Sequence, residues 1–289
     1  MATQVQSGTT ADRPAFSRTI VRRRPSARIF QIGSDIPRPL YFTIVLLSFA
    51  VPIWAWCHYS YSGNIDSFIL PTPTDVWHGY QRMMSAGVLV PDAKISIYRI
   101  GMGFLLSAVL AIPLGILMGS YKIAEAAHEP FVGFVRYIPV PALVPLIMII
   151  AGIEDQAKIL LIFIGTYFQM VLVVADVTRK VPRELLNAAR TLGANSWHLM
   201  FNVIMPATLP GIIDTCRTMI GWAWTYLMIA EVVACDSGLG YAIANAQRHT
   251  RTNEVYVGIL VLGILGLLTD MFFKIVTPKL VPWAESQKA

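Results

Sequence analysis

Apolar residues along this chain gather in six long runs, and the stretches between them carry most of the charge. The runs lie at about Leu40 to Tyr59, Ile95 to Ser120, Pro130 to Ile153, Ala157 to Val177, Leu209 to Val233 and Val255 to Val276. Each is close to the roughly 20 residues a helix needs to cross a bilayer core. The pattern predicts an all-α membrane protein with six transmembrane helices. The second run carries Gly101, Gly103, Gly115 and Gly119, which allow close helix packing. The third contains Pro139, Pro141 and Pro145, so it must be kinked or broken. Backbone groups freed by proline in a membrane need protein or water partners, so this span is expected to be buried or to face a cavity. Between the first two runs, the prolines of Phe68 to Val76 forbid a span, and an amphipathic helix with Val76, Tyr80 and Met83 in register follows. Tyr121 to Glu129 and Gly152 to Gln156 read as short turns, and Cys235 to Glu254 as a polar outer segment.

Composition agrees. Of 289 residues, 55% are hydrophobic and 14% charged, with a mean hydropathy of +0.57, which is too apolar for an ordinary soluble protein. The net charge of +6 could suggest nucleic acid, but topology already explains where the cations fall. Residues 1–39 form a basic, proline-interrupted tail with Arg13, Arg18, Arg22, Arg23, Arg24, Arg28 and Arg38. With that tail inside, the inner segments also hold Lys122, Arg179, Lys180, Arg183, Arg190, Lys279 and Lys288. The outer ones hold Arg82, Lys94, Lys158, Arg248 and Arg251. This bias predicts a multi-pass protein with both termini cytoplasmic and a membrane domain over residues 40–289. Cys57, Cys216 and Cys235 lack metal-ligand spacing, and the five histidines are scattered. No GxxxxGK[ST], GxSxG or HExxH stretch occurs, so no ATPase site, bound cofactor, metal or catalytic residue is expected in this chain.

The most structured polar stretch is the cytoplasmic loop 181–206, which reads as two short helices joined at a glycine. Pro182 and Glu184 suit a first helical turn. Leu185, Leu186, Ala189 and Leu192 share a face, Gly193 can close the helix in the left-handed region, and Asn195 or Ser196 can cap the next. Trp197, Met200, Phe201 and Ile204 make the second apolar stripe, which Pro206 is expected to stop. Helices this short need a partner surface.

Asn187-Ala188-Ala189, Gly193, Val203, Met205 and Pro206 are spaced as in the "EAA" loop of permease subunits of ATP-binding-cassette (ABC) importers, which the loop resembles. Asn187 replaces the family's glutamate, and Val203 and Met205 replace Ile and Leu. Leu70-Pro-x-Pro-x-x-Val76, Arg136-Tyr-Ile-Pro-Val-Pro-Ala-Leu-Val-Pro-Leu146 and Ser237-Gly-Leu-Gly-Tyr241 look like the nitrate/sulfonate/taurine/bicarbonate group of that family. The resemblance implies a type I importer permease fold in a bacterial inner membrane, with Glu184 and the loop positions above coupling to an ATPase. It also implies a second permease copy, two ATPase subunits that bind ATP and Mg, and an external binding protein that delivers a small solute. A secondary transporter and a membrane scaffold without transport remain as other classes.

The fifth span carries Arg217, Gly221, Trp224, Met228 and Glu231 at helical spacing, with Asp214 a turn earlier. Charges near a bilayer centre usually face a bundle interior or an aqueous cavity. One reading pairs Asp214 with Arg217 near the cytoplasmic end and leaves Glu231 at the outer interface. The others place the stripe, with Pro139 and Pro141, on a translocation path, or make Gly221 and Trp224 a contact between permease copies.

Overall fold

The computed structural model describes residues 36–233 and 236–287, the last three of these by their backbone alone. The basic tail lies almost wholly outside the described residues, as do Cys235 and Lys288. The chain forms two compact units, Met1–Trp56 and Cys57–Ala289. Within the first, the described residues from Arg38 onward belong to α1 (Arg38–Tyr61), a helix that runs on past the boundary. At 1.5 Å per residue its 24 residues exceed a bilayer core of about 30 Å.

The second unit holds α2 (Pro73–Ser85), α3 (Leu89–Ser120), α4 (Lys122–Val135), α5 (Val140–Ala151), α6 (Asp155–Arg179) and α7 (Arg183–Thr191). Next come α8 (Ser196–His198), a π-helical segment Leu199–Ile204, α9 (Met205–Val233), α10 (Leu239–Arg248) and α11 (Thr252–Leu280). Among the described residues there is no strand. Among the described residues five stretches, α1, α3, α6, α8 through α9, and α11, are long and apolar enough to cross a membrane. The pair α4 and α5 makes a sixth when taken as one span, bent by 96° at its break.

The core is the contact between α3 and α6. Gly103 faces Ile162, Gly115 faces Val174 and Gly119 faces Thr178, in one constant register. The two helices are therefore parallel, and the chain between them must return through α4 and α5. A Cβ on Gly115 would stand 2.7 Å from that of Val174 and 2.8 Å from the Val171 carbonyl, so the backbones touch where only glycine fits. Gly101 has nothing within 4 Å and takes no part. Ala108, Ala111, Met118, Met170, Val171 and Ala175 fill the rest of this seam. The outer faces carry exposed Leu105, Leu106, Val109 and Leu110 on α3, and Leu267, Leu268, Phe272 and Ile275 on α11. Large apolar groups outside and small ones inside suit a helix whose surroundings are hydrocarbon.

α2 begins as its sequence requires. Thr72 caps the Asp75 N–H, and Asp75 accepts from the Thr72 N–H and hydroxyl. These bonds hold the Asp75 carboxyl below the usual carboxylate range, with the Thr72 hydroxyl the largest cause. Val76 and Met83 are buried, and Gly79 lies against the Asn253 backbone at the start of α11.

Three expectations are corrected. Tyr121 to Glu129 is not a turn, because only Tyr121 separates α3 from α4. Ala124, Ala126 and Ala127 favour helix, Glu125 and Glu129 pair with Arg179, and the chain breaks later, at residues 136–139. Cys235 to Glu254 is not simply a polar segment. It contains α10, whose Leu239, Ala242, Ile243 and Ala246 fall on one face and are buried. Pro206 does not stop the second helix of the loop. In the π segment the Met205 N–H bonds the Met200 carbonyl five residues back, and this wider turn relieves the clash a proline ring makes in a regular helix.

The glycine seam makes a direct prediction. Gly115→Leu should cost about 1–3 kcal/mol of stability by overpacking, lowering the melting temperature of the purified protein in detergent, while Gly101→Leu leaves it unchanged. Equal melting of the two variants would contradict the seam.

Candidate functional site

α9 organises the residues that the sequence singled out, and it has three faces. One carries Arg217, Trp224 and Glu231 and packs inward. The Arg217 Nε donates to Asp270 of α11, which Lys274 also pairs at 2.7 Å, whereas Asp214 lies 3.8 Å from Arg217. Asp270 is thus the closer partner of Arg217. Trp224 is buried with Ile100, Ile162, Ala223 and Leu227, and its Nε1–H donates to the Thr269 hydroxyl at 3.3 Å. Met228 is half-buried.

Glu231 is fully buried within the protein, with an exposure of 0%, two residues before the end of α9. Its Oε1 accepts from the Arg99 guanidinium of α3 at 2.8 Å, and its Oε2 from the Gly240 N–H at 2.8 Å. Ser96 lies within 2.9 Å of both oxygens and accepts the Leu239 N–H. Arg99, 1% exposed, also reaches Asp155 at the start of α6 at 2.7 Å and the carbonyl and hydroxyl of Ser237. Asp92 accepts the Gly238 N–H at 2.8 Å. Four elements, α3, α6, α9 and the turn into α10, therefore meet at one cation. The Ser237-Gly-Leu-Gly240 segment now has a physical reason. Gly238 has φ +109° and its missing Cβ would stand 2.7 Å from Arg99 Nη1, while one on Gly240 would stand 2.6 Å from the Glu231 Cβ. The sequence reading picked Glu231 but passed over Ser96, Arg99 and Asp155. The available signal was an arginine inside an apolar run, one turn after a serine.

The second face of α9 is an exposed strip of Asp214, Thr218, Gly221 and Thr225, and nothing lies within 4 Å of a Cβ built on Gly221. The third face turns to the break in the bent pair. There a cavity of about 360 Å³ is lined by Arg136, Tyr137, Pro139 and Leu143, by Ile164, Gly165, Phe168 and Gln169 of α6, and by Met219, Trp222 and Tyr226 of α9. Gly165 makes room for it, because the Tyr226 ring lies where a Cβ would be, 2.6 Å away. Pro139 caps α5 and lines the cavity, whereas Pro141 is exposed and outside it. Met219, Trp222 and Tyr226 were missed because they carry no charge to mark them.

The loop 181–206 folds as helix, glycine and helix. Gly193 takes φ +84°; its N–H bonds the Arg190 carbonyl and the Ala194 N–H that of Ala189, which closes α7 by a Schellman motif. Asn195 caps the next helix by accepting the His198 N–H at 2.8 Å. Glu184, Asn187 and Ala188 are exposed on α7, and Ala189 is half-buried. Leu185, Leu192, Trp197, Phe201 and Met205 form an exposed apolar set, Leu192 at 89%, while Met200 is buried and Val203 half-buried. Trp197 packs on Phe201 with ring centroids 4.2 Å apart.

Glu231→Ala should leave the Gly240 N–H without its acceptor and Arg99 with Asp155 as its one carboxylate partner. Loss of one partner of a buried pair costs about 3–5 kcal/mol, so a large fall in melting temperature is expected, with Glu231→Gln in between. An unchanged melting temperature would contradict the network.

Residues 111–282 match the family described as the inner membrane component of binding-protein-dependent transport systems. A protein of Brucella abortus named as an ABC transporter permease is 38% identical over 240 residues, covering 83% of this chain and 95% of the relative. A Bacillus subtilis protein named as an aliphatic sulfonates transport permease is 36% identical over 242 residues, covering 83% and 87%. Among solved structures, an inward-facing form of the MetNI methionine ABC transporter shares the fold at a TM-score of 0.60 and 20% identity, over 68% of this chain and 97% of that one. The outward-facing large apolar residues, the helix-glycine-helix loop and these matches together place the chain among the permease subunits of ABC importers, in the binding-protein-dependent inner membrane component family.

Proposed function

We propose that this subunit carries a small anion, a sulfonate or a chemically similar nitrate, taurine or bicarbonate, from an external binding protein into the cytoplasm. Partner ATPase subunits supply the energy, and this chain holds no ATP site of its own. The observation that carries the reading is the exposed apolar set on the helix-glycine-helix loop, in a chain similar over most of its length to a permease named for aliphatic sulfonates. Leu185, Leu192, Trp197, Phe201 and Met205 are costly to leave in water, and an ATPase groove would cover them. Both termini lie in the cytoplasm in this reading, and residues 1–39 are the tail preceding the permease domain.

The path runs along the cavity side of α9, beside Pro139, Met219, Trp222 and Tyr226. Arg217, Trp224, Met228 and Glu231 hold α9 against its neighbours, and Pro141 belongs to the first turn of α5. A second copy of the chain lies across the exposed strip at Gly221, closing the path between two permeases. Nucleotide closes the ATPases, α7 and α8 move with them, and the helices alternate between inward- and outward-facing arrangements.

The test is uptake by vesicles holding the permease, its ATPase and its binding protein. Taurine or an alkanesulfonate should accumulate with ATP inside and not with a proton or sodium gradient alone. Gradient-driven uptake without ATP would make this a secondary transporter.

Gly193→Val should uncouple that system. Nothing crowds the site, so the cost is the left-handed backbone itself, about 1–2 kcal/mol for a residue other than glycine. Uptake per ATP should fall, whereas Gly193→Asn, which tolerates this backbone, retains it. Normal coupling in the valine variant would contradict the role given to the loop.

A further inference from the structure

We propose that Arg136 is an anion contact on the translocation path, taking a sulfonate or an oxyanion of similar size. The inference rests on the transport reading above and goes beyond it by assigning the charge that receives the substrate. α4 rises about 21 Å before the break, from its 14 residues at 1.5 Å each. The cavity there also lies beside Gly165, near the middle of α6. Arg136 therefore stands near mid-height of the span, its side chain exposed at the cavity rather than buried among the helices, and a cation at that height is disfavoured unless a carboxylate, water or a ligand answers it.

Arg99 and Arg217, which also lie inside spans, have carboxylates. Arg99 has Glu231 and Asp155, and Arg217 has Asp270. Arg136 has none within ion-pair distance among the described residues. Its contacts are with Tyr137, whose hydroxyl accepts from Nη2 at 2.9 Å and whose ring lies 4.8 Å from the guanidinium carbon. Both leave guanidinium donors free and the positive charge intact, because a phenol and a ring face do not neutralise it.

The surrounding wall has the same preference. The cavity lining contains no acidic residue, and it offers the Gln169 amide, the Tyr226 hydroxyl and the Trp222 indole N–H as further donors. The apolar faces of Trp222 and Leu143 suit a short alkyl group beside the anion. A planar guanidinium pairs with a sulfonate through two parallel N–H donors, so it binds the charge and orients it. The single formal charge favours transient binding, as a path residue requires.

The test uses the full importer with Trp222→Cys, after Cys57, Cys216 and Cys235 are replaced by alanine. Two thiol reagents of similar size are compared, sulfonatoethyl and trimethylammonioethyl methanethiosulfonate, with taurine as competitor. With Arg136 present the sulfonate reagent should react faster relative to the cation, and taurine should slow it. Arg136→Gln should lower that rate ratio about tenfold, an effect of one nearby charge under partial screening, and abolish protection by taurine. Arg136→Lys should restore most of the ratio. The cationic reagent's own rate reports whether each variant keeps the cavity. A ratio unchanged in Arg136→Gln overturns the anion contact and leaves the transport reading standing. No reaction with either reagent overturns the cavity as a path, and the contact with it.

Discussion

Arg99 holds together the end of the bundle where α3 and α6 begin and α9 stops. Its guanidinium joins α3 to Asp155 of α6, Glu231 of α9 and Ser237 before α10, with Ser96 and the Gly240 N–H completing the Glu231 shell. Helices in hydrocarbon have no hydrophobic drive toward one another, so association depends on close packing and polar contacts. The two are divided along the molecule. Polar contacts gather where α3, α6 and α9 have their Leu89, Asp155 and Val233 ends, and small-residue contacts at Gly103, Gly115 and Gly119 run down the length of the α3 and α6 pair.

That arrangement separates a fixed part from parts free to respond. α3 and α6 meet most closely at Gly103, Gly115 and Gly119, where the glycines carry no side chain that could give way. The break at residues 136–139 and the loop around α7 are built differently. The first borders a cavity, and the second leaves large apolar groups in the open. Transport by alternating access needs both kinds of element, a rigid body to move and hinges or docking surfaces through which force is applied.

Charge placement follows the same division. Arg99 and Arg217 are committed to carboxylates and stabilise contacts between helices. Arg136 shares its wall with aromatic rings and an amide and keeps its charge for something outside the chain. Three arginines in or beside apolar segments thus serve two ends, and the difference lies in the neighbours that folding supplies.

The sequence by itself determined the helical class, the number of apolar runs, the broken third span and the helix-glycine-helix loop. Each of these is local. Run length answers to bilayer thickness, proline to a missing donor, and Gly193 to a left-handed backbone its neighbours cannot adopt. The sequence also marked Glu231, because a carboxylate in an apolar run stands out. It did not show that Arg99, more than a hundred residues earlier, is the partner, nor that Trp224 and Glu231 pack inward and Gly221 stays exposed while Met219, Trp222 and Tyr226 line the cavity. Periodicity groups residues onto a helix face, but which face is covered depends on the helices that pack around it. The same holds for Pro206, which would end an isolated helix. Here the π turn before it lets α9 run on, and Met200 and Leu199 find burial within the bundle.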